Sequence, residues 1–198
     1  MRIVVSEFLT LDGVMQAPGG KEEDTSGGFE HGGWQNDNDF FDDVAGQAIM
    51  ESFEGADGML LGRRTYEIFA GYWPTSNEEP FAGIMNNMRK YVASRTLKPP
   101  LEWQNSSLLQ GEAPDAVAEL KKEPGRDLFV IGSGDFAQTL MEHDLVDEYR
   151  LMIHPIVLGD GKRLFRDGSP LAKLTLVDSK NTTTGVVILT YRSGGSDT

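Results

Sequence analysis

The sequence predicts an α/β fold, a mainly parallel central sheet flanked by helices with an antiparallel edge at its C-terminal end. Two observations carry that prediction. Short apolar runs of strand character alternate with segments of helical period, the pattern of crossover units and a parallel sheet. The last two strand-like runs, residues 174–177 and 185–191, follow one another with no helix between, which makes an antiparallel pair.

The elements follow in order. The apolar run from Ile3 to Leu9 reads as a buried first strand. Residues 10–33 hold seven glycines in twenty-four positions and read as a long loop, of the kind that forms lids or binding loops. From Asp37 the pattern turns helical: Phe40, Phe41, Val44, Ala45, Ala48 and Ile49 share a face, Asp37 and Asp39 suit the helix start, and Gly55 stops it. Residues 59–61 form a short strand that runs into Gly62 and a helix to about Ala70. A short helix is expected over 80–88, strands over 91–94 and 103–109, and a helix over 115–122 with Ala116, Val117 and Leu120 inward. The strand at 128–131 leads through Gly132-Ser133-Gly134 into a helix whose apolar face is Phe136, Ala137, Leu140 and Met141. A long strand over 149–157 precedes the terminal pair. Residues 1–192 read as one domain, and residues 193–198, SGGSDT, as a disordered tail.

Composition narrows the chemistry. The chain has 198 residues and no cysteine, so disulfides, thiolate metal sites and a cysteine nucleophile are excluded. His31, His143 and His154 lack metal-ligand spacing, and no metal is expected. The formal charge of −13 argues against a nucleic-acid partner, whose phosphates need a net basic face. No run of roughly eighteen apolar residues would span a membrane, and the first residues lack the cationic end and apolar core of a signal peptide; a cytoplasmic protein is expected.

Three strand ends could take an anion, because ligands of open α/β sheets bind beyond the carboxyl ends of the strands. Gly62, Arg63, Arg64 and Thr65 combine close backbone approach, a helix start and two cations; the alternative is a tight turn with surface arginines. Ser94, Arg95 and Thr96 suit a phosphate monoester, or are ordinary loop chemistry. Gly132, Ser133, Gly134, Asp135 and Phe136 form a strand-to-helix anion cradle, though not a G-x-G-x-x-G, and no acidic ribose anchor follows.

Taken in this order, the strand ends resemble the dihydrofolate-reductase superfamily, in particular the reductase domain of bacterial riboflavin-biosynthesis deaminase–reductases and its stand-alone relatives. The resemblance covers roughly residues 1–192. It is carried by Thr10-Leu11-Asp12-Gly13, Leu61-Gly62-Arg63-Arg64-Thr65-Tyr66, Val92-Ala93-Ser94-Arg95, Val130-Ile131-Gly132-Ser133-Gly134, and the run from His154-Pro155 through Gly159-Asp160-Gly161 to Leu164-Phe165. It implies a three-layer dihydrofolate-reductase-like fold, a homodimer and an NADPH-dependent oxidoreductase. The small-molecule substrate would be a heterocycle or ribosylaminopyrimidine such as 5-amino-6-(5-phosphoribosylamino)uracil. In that family frame Gly62 to Thr65 hold the adenosine phosphates. Ser94 and Arg95, with Arg63, meet the 2′-phosphate, and Gly132 to Phe136 line the pyrophosphate and nicotinamide. The loop from Asp12 to Gly33 covers the site and excludes water.

Trp34 and Asp39 match the spacing of the tryptophan and substrate carboxylate of folate enzymes, and Trp34, Tyr66 and His154 are expected on the substrate side. His154 also reads as a structural histidine. The proton is expected from Asp12, Asp39 or a water relayed by a carboxylate. Lys162, Arg163 and Arg166 could supply a substrate-phosphate site, or offset surface acids. The family usually has a cis Gly-Gly pair where Gly132-Ser133 stands here. The zinc deaminase signature needs cysteines that this chain lacks. Two alternatives stay open: a pterin or folate reductase, and a non-catalytic nucleotide-binding or dimerisation module on the same fold.

Overall fold

The computed structural model describes residues 1–194. Among them, eight strands form one sheet and five α-helices cover it. The strands are β1 (Arg2–Thr10), β2 (Ala56–Gly62), β3 (Arg89–Ala93), β4 (Ser106–Leu108), β5 (Asp127–Ile131), β6 (Glu148–His154), β7 (Leu174–Asn181) and β8 (Val187–Ser193). The helices are α1 (Asp43–Glu54), α2 (Arg63–Tyr72), α3 (Phe81–Asn87), α4 (Ala113–Lys122) and α5 (Gly134–Glu142). The sheet order is β4-β3-β2-β5-β1-β6-β8-β7. The six strands from β4 to β6 are parallel, and β8 and β7 close the sheet antiparallel, as the sequence predicts.

The alternation of side chains along each strand builds two cores. On one face Ile3, Val5 and Leu9 of β1 and Leu128 and Val130 of β5 pack under Val117 and Leu120 of α4 and Phe136, Ala137 and Leu140 of α5. On the other face Met59 and Leu61 of β2 and Val92 of β3 pack against Tyr66 of α2, Met85 of α3 and Trp103. Met152, Val186 and Ile188 there lie under Ala48 of α1. The result is the three-layer arrangement of the dihydrofolate-reductase-like fold.

Several boundaries differ from expectation. The first helix begins at Asp43 and not Asp37, because Asp42 is the residue that caps it: its carboxylate accepts from the Ala45 amide at 2.9 Å. That carboxylate is also fixed by Thr183, whose amide and hydroxyl both donate to it at 2.7 Å. The strand expected over 103–109 shortens to Ser106–Leu108, since Trp103 turns inward, donates its indole N–H to Asn86 and becomes core. The strand expected to reach residue 157 ends at His154, ahead of Pro155, which has no N–H to donate. Residues 193 and 194, expected in the tail, are ordered into the fold: Ser193 is the last residue of β8, and Gly194 donates to Lys173 O at 3.0 Å. Residues 195–198 lie outside the described residues. No described helix is long and apolar enough to cross a membrane.

Candidate active site

The carboxyl ends of β2, β3 and β5, with the middle of β1, open onto a cleft of about 1250 Å³. One wall gathers three segments. Gly62, Arg63, Arg64 and Thr65 stand where β2 becomes α2, Ser94 and Arg95 follow β3, and Gly132, Ser133, Gly134, Asp135 and Phe136 join β5 to α5. Neither α2 nor α5 has a side-chain cap at its N-terminus. The first-turn N–H groups of both helices, and the positive ends of both dipoles, are thus left for a ligand.

Ser133 ties the two helix starts together. Its Oγ accepts from the Gly62 amide at 2.9 Å, and its own amide donates to Thr65 Oγ1 at 2.9 Å. The cis bonds of the described chain are Glu79–Pro80 and Pro99–Pro100, so the Gly132–Ser133 bond is trans. Here two successive left-handed residues, Gly132 at φ +60° and Ser133 at φ +57°, make the turn. A side chain at 132 would meet Thr65 Cγ2 at 3.2 Å, so this position combines left-handed backbone with close approach. Past β3, Ser94 Oγ accepts from the Thr96 and Leu97 amides at 3.1 and 3.0 Å. That turn projects Arg95, whose side chain is 90% exposed and pairs loosely with Glu112 at 3.4 Å. Arg63 is half exposed and pairs with Glu67 at 2.8 Å. Two uncapped helix starts flanked by two accessible arginines fit the donor set that an anionic dinucleotide with an added phosphate requires.

The rest of the cleft is lined by apolar side chains and by charged side chains of both signs. Met15, Phe8, Ile49, Phe53 and Met152 supply the apolar surface. Glu7 and Glu23 supply carboxyls. Burial pushes the Glu7 carboxyl well above the usual range; the Gly132 amide partly offsets this and Glu23 adds to it. Burial likewise raises Glu23, against hydrogen bonds from the Gly19 and Gly20 amides. The 12–33 loop lies over this end and is tied down. Lys162 Nζ bonds Asp24 and Ser26, both at 2.6 Å, and Gln16 Nε2 donates to the Asp24 and Ser26 carbonyls. Trp34 Nε1 donates to Gln16 O at 2.9 Å.

Five residues expected at the chemistry stand elsewhere. Asp12 is a structural lock: it accepts from Thr10 Oγ1 at 2.6 Å and from the Leu158 and Gly159 amides, and pairs with Arg163 at 3.3 Å. Burial opposes its ionisation, but those hydrogen bonds outweigh it and lower the pKa to about 2. Asp39 precedes the first helix in a left-handed conformation, φ +51°, and is exposed, off the cleft wall. Trp34 and His154 pack on each other at 5.1 Å between centroids; Phe8 and Phe40 complete the cage, and His154 Nδ1 lies 3.0 Å from Met152 O. Tyr66 is core, its hydroxyl accepting from the Trp103 amide at 3.0 Å. The three cations expected at a substrate phosphate are each paired, Lys162 with Asp24, Arg163 with Asp12 and Arg166 with Asp135.

Glu7 was the residue that sequence reasoning passed over. One signal for it existed: in the run Ile3 to Leu9 the odd positions face the α4–α5 core, and Glu7 is the one charged residue among them. Among the described residues, no group of three or more His, Asp or Glu side chains is arranged to hold a metal ion.

Comparison with known proteins agrees with this architecture. A model of the RibD C-terminal domain family matches residues 2–188. The chain is 30% identical to YyaP of Bacillus subtilis, an uncharacterised protein, over 98% of this chain and 96% of that one. It is 26% identical to a second uncharacterised protein of that organism, YwjB, over 72% of this chain and 79% of that one. Among solved structures, it is similar to a protein of Shewanella sp. PV-4 assigned to riboflavin biosynthesis, with a TM-score of 0.74 at 20% identity, covering 98% of this chain and 100% of that one. A pyrimidine reductase-like protein of Corynebacterium diphtheriae superposes with a TM-score of 0.62 at 14% identity, covering 98% and 92%.

Proposed function

The chain belongs to the RibD C-terminal domain family, and on that premise we propose that it is an NADPH-dependent reductase. Its substrate in this reading is a small heterocycle or a ribosylaminopyrimidine of the 5-amino-6-(5-phosphoribosylamino)uracil type. The observation that carries the reading is the single cleft wall on which two uncapped helix N-termini meet the exposed Arg63 and Arg95. NADPH, when bound, supplies the hydride. The α2 and α5 starts hold its diphosphate, Arg63, Ser94 and Arg95 its 2′-phosphate, and Gly132 and Gly134 let the backbone approach. Phe8, Met15 and Phe53 exclude water from the reacting end. We place the described residues 1–194 in one reductase domain, acting as a cytoplasmic homodimer.

The test is cofactor preference. Isothermal titration should show NADPH bound more tightly than NADH, and Arg95→Ala should cut that preference roughly tenfold, the loss expected of one partly solvated charge-assisted contact. Equal affinity for the two cofactors in the unaltered protein would sink the phosphate roles. One observation favours the pterin-type alternative: a substrate phosphate would have to displace Asp24, Asp12 or Asp135 from the cations it needs. Turnover of a dihydropterin in preference to the phosphoribosyl substrate would decide for it.

A further inference from the structure

Glu7 is buried, with 7% of its surface exposed, yet it lines the cleft. Its Oε1 is fully enclosed and has no hydrogen-bond partner. It is the one carboxyl oxygen among the three side-chain atoms in that condition in the described residues. An unpaired buried polar atom is costly, and an apolar residue would fill this strand position at lower cost. The position is specific. Glu7 follows Ser6, which pairs with Ile131 at the last rung of β1 and β5, so its neighbour across the sheet is the Gly132 turn. The charged group that acts on it is Glu23 from the loop; Lys162 and Arg166, which line the same cleft, are paired with Asp24 and Asp135. Burial, with the like charge of Glu23, favours the neutral carboxyl over the carboxylate, and Oε1 has no partner among the described residues.

We propose that Glu7 is the proton donor of the reduction, offering its O–H to the carbonyl oxygen or imine nitrogen of the substrate. The inference rests on the reductase reading above. Hydride addition forms a C–H bond at the carbon of the C=O or C=N group and sends the π pair onto the heteroatom. That heteroatom takes the Glu7 proton, leaving an alcohol or amine and a Glu7 carboxylate, which is reprotonated from the solvent-connected cleft. Two electrons and one hydrogen come from the dihydronicotinamide and one proton from the enzyme. The site therefore selects a substrate that presents a hydrogen-bond acceptor at its reducible bond.

The experiment joins infrared spectroscopy to kinetics, using Glu7→Gln, which keeps the shape of the side chain. At neutral pH the difference spectrum between the unaltered protein and the variant should show the carbonyl stretch of a protonated carboxylic acid. With the best substrate among dihydropterin, dihydrofolate and the ribosylaminopyrimidine, kcat should fall roughly 10²- to 10⁴-fold, the usual yield of a general acid. NADPH affinity, read by tryptophan fluorescence, should change little. The alkaline limb of the kcat profile, where Glu7 loses its proton, should vanish in the variant. Absence of the acid band overturns the proposal whether or not turnover is found, as does a variant that keeps full kcat and the alkaline limb. If NADPH binds but none of the three substrates turns over, the infrared band decides alone. A protein that fails to bind NADPH overturns the reductase reading and this proposal with it, whereas an ionised Glu7 beside bound NADPH overturns the proposal alone.

Discussion

Asp12 and Lys90 show how a charged side chain can serve the fold and not the reaction. Asp12 fastens the first loop to the 158–159 turn through amide and hydroxyl donors. Its folded-state pKa of about 2 lies below the unfolded value near 3.8. Its stabilisation is therefore complete above about pH 4 and is lost as pH falls toward 2. Asp12→Asn should lower the melting temperature at neutral pH and flatten the acid limb of the stability curve, without moving the pH profile of turnover; thermal melts across pH check both. Lys90 is fully buried, its Nζ 4.0 Å from the Trp103 ring centroid and bonded to the Asn86 and Gln104 carbonyls at 2.9 and 3.1 Å. Burial pulls its pKa down to about 8 from 10.5. A depressed folded-state pKa means that stability is gained as pH rises from 8 through 10.5. Denaturant titrations should show that gain in the unaltered protein and its absence in Lys90→Met.

The junctions between strand and helix separate what folding needs from what a ligand needs. At 132 the backbone is left-handed and Thr65 stands against any added carbon. Gly132→Ala should therefore destabilise by about 1–3 kcal/mol, visible as a lower denaturant midpoint. At 134 the backbone is ordinary, and a Cβ would meet the far ends of Met15 and Arg166 at 3.1 Å, which can move. Gly134→Ala should leave the melting temperature unchanged or slightly raised and weaken NADPH binding roughly tenfold by crowding the α5 start. These junctions were legible in the sequence because apolar period, glycine and helix start all coincide there. The substrate side was not. Trp34, Tyr66 and His154 are the residue types that line pockets, but burial and hydrogen bonding assign them to cores that only tertiary packing defines. Asp39 lost its place through a capping competition that Asp42 wins with the help of Thr183, 141 positions away along the chain. Glu7 was hidden by the apolar run that contains it.

Across the whole molecule, the asymmetry of the sheet matters most. Its parallel centre is covered on both faces, while β7 ends the sheet with Leu176 and Val177 exposed at 51% and 44%. An uncovered apolar edge invites pairing, which agrees with the homodimer proposed above. Sedimentation at micromolar concentration should give a dimer, and Leu176→Glu should shift it toward monomer; a monomer in the unaltered protein rejects the assembly. The covering loop has a different kind of consequence. Beside its backbone and amide bonds to residues 158–164, it is held by charge, Lys162 to Asp24 and Arg64 toward Asp24 and Ser26, at a partly solvated rim. Such pairs weaken as salt screens them, over a length that shrinks from about 10 Å at 0.1 M to about 3 Å at 1 M. Salt should therefore loosen the charged part of the loop's hold, so that a ligand beneath it leaves faster as ionic strength rises even where the contacts below are apolar and indifferent to salt.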